Sequence, residues 1–144
     1  MTVVVYDKIY SDQIYKITSL FLINIIYSYN CNLYLLMFMY IGGLYTSLNY
    51  WKSPKYDYNR LLDICWISIT IIIHYSYCNL IKNQSNYLFY HIFLILAIIF
   101  YFSGRIYRFI YNDQKIATKC HIISHLFFHI AHIILYYGLN KLIK

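Results

Sequence analysis

Apolar positions along the chain gather into five runs separated by short polar breaks. Run one covers residues 14–27, run two 32–51, run three 61–80, run four 86–103 and run five 120–138. The runs show little strict alternation, so they read as helices rather than strands. Runs two to five approach the ~20 residues that a helix needs to cross a bilayer, and run one is shorter. The breaks hold turn formers, including "YSYNCN" at 27–32, "KSPKYDYNR" with Pro54, "KNQS" at 82–85 and "GRIYRFIYNDQK" from Gly104. Tyrosines and Trp51 at the run ends suit the two membrane interfaces. The pattern predicts one all-α domain over residues 1–144, a multi-pass transmembrane bundle of about five spans. No small-residue cleavage pattern follows run one, so a removable signal peptide is not expected.

Composition strengthens this reading. Only 12% of residues are charged, half of the roughly 25% found in soluble domains. Mean hydropathy is +0.50. The net charge of +7 would suggest nucleic acid in a soluble protein, but here the cations cluster between apolar runs, so lipid headgroups are the expected partner and nucleic acid is not. With the N-terminus on side A, that side carries Lys8, Lys16, Lys52, Lys55, Arg60, Arg105, Arg108, Lys115 and Lys119. Side B carries Lys82, Lys141 and Lys144. That asymmetry favours five spans with a cytoplasmic N-terminus and an outside C-terminus. The sequon Asn83-Gln84-Ser85 falls on side B. The Ile, Tyr, Asn and Lys bias is that of an AT-rich genome, such as that of a large DNA virus, a protist or a low-GC bacterium; if viral, the membrane would be the host's or the virion's. Cys31, Cys65, Cys78 and Cys120 lack metal-site spacing and read as small buried hydrophobes.

Chemistry concentrates in run five. "HIISHLFFHIAH" at 121–132 holds four of the six histidines. At 100° per residue His121, His125, His129 and His132 share a stripe about 80° wide. Asp63 is the one acid inside an apolar run, and such a group is costly unless paired within the bundle. Ser47 near the side-A end of run two, Asp63 at the start of run three and His121/His125 at the start of run five fall at one depth. His74, 11 residues after Asp63, shares its face and lies level with His132, whereas His91 lies in the opposite leaflet. Gly42-Gly43 would let helices pack closely. Three uses of the stripe stay open: interhelical hydrogen bonds, a metal site, and a proton or ion path. Asp63 has a structural alternative as a helix N-cap, and Ser47 as a small packing residue.

"TSLNYW" at 46–51, "RLLDICW" at 60–66 and "HLFFHIAH" at 125–132 together resemble the CREST superfamily of membrane hydrolases, which includes alkaline ceramidases, adiponectin-receptor-like proteins and Per1-like proteins. Ser47 matches that pattern's serine, Asp63 its aspartate, and His125/His129 or His121/His125 its paired histidines. Trp51 stands where the first zinc histidine would be. The resemblance covers about 35 residues and implies seven helices where this chain has about five runs. It implies a shortened, degenerate relative of zinc-dependent enzymes that cleave amide or ester bonds in lipids. Zinc would then take His125, His129 and His121, with His132 or His74 as other candidates for the third place. Ser47 and Asp63 would serve catalysis. A non-catalytic structural or scaffolding membrane protein is the other expectation.

Overall fold

A computed structural model describes residues 5–143, and the side chains of residues 5–140. Among these residues the chain is helical, with no strand. Helix α1 (Lys8–Ile17) passes through a 3-10 turn (Thr18–Leu20) into α2 (Phe21–Asn30). Then follow α3 (Tyr34–Lys52), α4 (Tyr58–Cys78), α5 (Gln84–Phe109) and α6 (Gln114–Ile143). Run one therefore becomes part of a longer broken rod, and runs three to five lengthen at their polar ends. The earlier starts of α4, α5 and α6 are set by capping rather than by apolarity. The side chains of Asp57, Asn83 and Asp113 accept from the backbone N–H of Arg60, Asn86 and Ile116 at 3.2, 3.0 and 2.9 Å. The turn after α2 places Asn32 at φ 58°, and Leu33 N–H donates to Ser28 O while Asn32 N–H donates to Tyr29 O. That is a Schellman ending, with asparagine in the left-handed position.

Helices α4 and α5 and the segment Gln114–Asn140 of α6 are long and apolar enough to cross a membrane. In α3, Tyr, Thr, Ser and Asn dilute the apolar content. The chain runs up and down. Its first described residues meet the turns at one end: Val5 N–H donates to Pro54 O, Arg108 Nε donates to Val5 O, and Asp7 exchanges two hydrogen bonds with Gln114. The C-terminal part of α6 lies at the other end, where Gly138 abuts Ile81 and Asn86. The basic positions assigned to side A from Lys52 to Lys119 thus flank the turns at the first end.

Polarity is inverted relative to a soluble bundle. Asn24, Ser28, Thr46, Ser47, Asp63, Thr70, Ser124, His74, His129 and His132 are buried. Leu22, Ile26, Phe38, Ile69, Ile72, Ile95, Ile99 and Phe102 point outward. Burial of polar side chains beneath an apolar exterior is the arrangement a lipid solvent favours. Of the cysteines, Cys31, Cys78 and Cys120 are buried as expected, whereas Cys65 is exposed.

Small residues let the rods approach. Ala117, Ser124, Ala131 and Gly138 recur every seven residues on α6, facing Ala97 and Gly104 of α5. Ser124 donates to Ala97 O at 2.7 Å, and a Cβ on Gly104 would lie 3.1 Å from Ala117 O. A seven-residue repeat keeps a straight seam between two helices. Gly42-Gly43 does what its composition suggests. Gly43 receives the ring of Phe21 from α2, and Gly42 receives the indole of Trp66 from α4, whose Nε1 donates to Met39 O at 2.8 Å. A Cβ on Gly42 would sit 2.0 Å from that indole. Gly42→Ala should therefore destabilise the protein in detergent by about 1–3 kcal/mol. Thermal unfolding of Gly42→Ala, Trp66→Ala and the double variant checks this, since the glycine substitution should cost little once the indole is gone.

Candidate functional site in the bundle interior

A cavity of about 350 Å³ lies between α4 and α5, over α6. Ser47 and Trp51 from α3, Asp63 from α4, and His121, Ser124 and His125 from α6 line its polar end. Ile67, Ile71, Leu94, Ile98 and Phe128 line the remainder. Ser47, Asp63 and the first two histidines of the stripe, placed at one depth by sequence, thus share one cavity.

Asp63 is not a cap, because Asp57 fills that role for α4. Its carboxylate reaches across to α3 instead. Ser47 Oγ donates to Asp63 Oδ1 at 2.5 Å, and Thr46 Oγ1 donates to the same oxygen at 3.1 Å. Two hydroxyl donors on one buried carboxylate compensate for the water it has lost. Thr46 was not visible as a site residue in the sequence. The signal available was only its adjacency to Ser47.

The histidine stripe divides into two halves. His121 and His125 lie with their Nε2 atoms 3.1 Å apart, one donating to the other. Two imidazoles on a tetrahedral metal with bonds of about 2.0–2.1 Å would stand about 3.3 Å apart, so this pair has the spacing of one edge of such a site. The third corner is not assembled. His129 faces Asn24 of α2, whose amide donates to its Nδ1 at 2.6 Å, and its ring centre is 6.0 Å from that of His125. Among the described residues no group of three or more His, Cys, Asp or Glu stands close enough to hold a metal ion. Trp51 packs edge-on against His121, with ring centres 5.0 Å apart.

The deeper histidines are interhelical links. Tyr40 of α3 donates to His132 Nδ1. His74 Nδ1 donates to Thr70 O at 2.7 Å, which leaves Nε2 to accept from Tyr136 OH at 2.7 Å. His74 and His132 are level, as the spacing predicts, with ring centres 4.2 Å apart. His91 lies apart, among Tyr75, Tyr87 and Tyr90. Asn24 Oδ1, Tyr90 OH and the Nε2 atoms of His129 and His132 are buried without a protein hydrogen-bond partner.

At the first end the cavity continues into a smaller mouth that shares Trp51, Asp63, Ile64, Tyr101 and His121 with it. Tyr6, Tyr50, Arg60 and Arg105 complete that mouth. Burial pushes the Tyr6 phenol above its ordinary pKa, against the opposing pull of Arg108 and Arg105, so it remains a neutral donor.

The link between Tyr40 and His132 is testable by its asymmetry. Tyr40→Phe and His132→Phe should each lower stability by about 1–2 kcal/mol, because each strands a buried polar partner. The double variant should cost less than the sum of the two, as read by unfolding in mild detergent. Comparison of the chain with protein-family models, with curated proteins and with solved structures gives no match.

Proposed function

We propose that the chain is a multi-pass membrane protein of the CREST type, a degenerate lipid hydrolase that keeps the lipid-facing cavity and the polar residues of its reaction. The observation that supports it most is the meeting of Ser47, Asp63, His121 and His125 in one cavity, with Trp51 beside them. These are positions at which the sequence resembles that superfamily, and they come from three separate helices.

In this reading the cavity takes the ester or amide region of a lipid. Asp63 holds the Ser47 hydroxyl in place and is the base of the site. Turned from Asp63 toward a bound lipid, the single O–H of Ser47 hydrogen-bonds a carbonyl oxygen that gains charge. His121 and His125 are the residues that would hold zinc, and when bound the ion supplies a water of lowered pKa. The third ligand is what the chain has lost, and Trp51 fills the space beside His121. His129, the other expected ligand, serves packing through Asn24. The alternative of a purely structural bundle applies to His74, His129 and His132, each of which joins two elements by a hydrogen bond.

Five crossings follow from taking the rod of α1, the 3-10 turn and α2 as one pass. Its 23 residues, Lys8 to Asn30, at ~1.5 Å each exceed the roughly 30 Å of a bilayer core. Tags at the two termini of protein in sealed membranes should be accessible from opposite sides. Both tags on one side would overturn the five-span topology.

Metal content tests the site. Wild-type protein should retain little zinc after washing with a weak chelator. Trp51→His should retain about one zinc per chain, and adding His125→Ala should release it. Adding His91→Ala instead should not. A Trp51→His protein that gains no zinc would leave the polar cavity without a metal role and remove the hydrolase reading.

A further inference from the structure

Helices α4 and α5 come together at the second end, where Tyr75 and Cys78 lie against His91. Toward the first end α4 leans on α3 and α5 on α6, and the cavity separates them. Three residues that line it, Ile64 on α4 and Ile98 and Phe102 on α5, are also exposed on the outer face at 41%, 42% and 59%. The cavity is therefore open sideways, through an apolar slot, to whatever surrounds the bundle. Its far wall is apolar and its near end polar.

The mouth adjoining that near end holds two half-buried cations, Arg60 from the first turns of α4 and Arg105 from the last turns of α5. Neither has a carboxylate partner: among the described residues the one ion pair joins Lys8 and Asp12 on α1. Each guanidinium instead lies over a ring, Arg60 over Tyr56 at 4.5 Å and Arg105 over Phe109 at 4.7 Å. Ring stacking orients a guanidinium and leaves its N–H edge free. Asp57 caps α4 through the Arg60 backbone N–H, and Asp63, the acid in the lining of the mouth, is already engaged by Ser47 and Thr46. A slot for an acyl chain, a polar middle and two unneutralised arginines at the interface follow one another in the order of the parts of a phospholipid.

We propose that this protein binds one anionic phospholipid from the side-A leaflet, with its phosphate between Arg60 and Arg105 and an acyl chain in the slot between α4 and α5. Arginine suits that place because its planar N–H edge meets two phosphate oxygens at once. The binding deepens the hydrolase reading and rests on it for the fate of the lipid, since it sets the linkage between phosphate and chain beside Ser47 and the histidine pair. Binding itself needs no turnover and no metal.

The test is native mass spectrometry of the full chain in neutral detergent, titrated with dioleoyl phosphatidic acid or with dioleoylglycerol, which has the same chains without the phosphate. Phosphatidic acid should be retained about thirtyfold more tightly, the scale of two cationic contacts. Arg60→Gln with Arg105→Gln should remove that preference while dioleoylglycerol binding persists, which also shows that the variant is folded. Ile67→Trp should block both lipids, and Lys52→Gln should change neither. Glycerol 3-phosphate should not displace phosphatidic acid. Equal affinity for the two lipids, a preference that survives the double arginine variant, or full displacement by glycerol 3-phosphate would overturn the proposal. A protein that binds phosphatidic acid as stated but gains no zinc in Trp51→His would lose the hydrolase reading and keep this one.

Discussion

The carboxylate of Asp63 must be satisfied inside the bundle, and much of the site's placement follows from how that is done. A charge at that position cannot face acyl chains without a cost of several kcal/mol. Ser47 and Thr46 supply two donors from the neighbouring helix, and this fixes the rotation of α3 against α4. With that rotation set, Gly42 of α3 lies under Trp66 and the indole donates to Met39 O. The same turn of α3 brings Trp51 to His121 and Tyr40 to His132. One buried acid thus orders the contact between two helices, and through them the approach of a third.

The pairing of α5 with α6 is independent of that acid. It depends on small residues at seven-residue spacing, with Ser124 bonded to Ala97 O. Because α5 follows α6 and α4 follows α3, a gap is left where the two pairs diverge. The cavity is the space between two tightly packed units, which explains its apolar walls and its polar end. It also explains why its lining draws on residues that no single sequence motif contains.

Much of this was legible in the sequence. The apolar runs gave the helices, and depth counting brought Ser47, Asp63, His121 and His125 together because helical rise is uniform and the runs are antiparallel. His74 and His132 were placed level by the same arithmetic. What could not be read was orientation around each helix axis. A stripe of four histidines about 80° wide looks like one site, yet its two halves meet different neighbours: an open cavity for His121 and His125, and Asn24 and Tyr40 for His129 and His132. Asn24 lies in run one, which the sequence marks only as a short apolar stretch. The seven-residue series Ala117, Ser124, Ala131 and Gly138 was present to be read, but it is masked by the histidines that interleave it. The cap at Asp57 rather than Asp63 reflects polar residues 58–60 joining α4, since a helix begins where its first N–H groups find an acceptor and not where apolarity starts.

The most direct measurement is cysteine cross-linking in native membranes, on a background with Cys31, Cys65, Cys78 and Cys120 replaced by serine. Ser47→Cys with Asp63→Cys should form an intramolecular disulfide under mild oxidation, whereas Ser47→Cys with His91→Cys should not. Failure of the first pair to close, or efficient closure of the second, would contradict the placement of Asp63 against α3 on which the cavity and its chemistry depend.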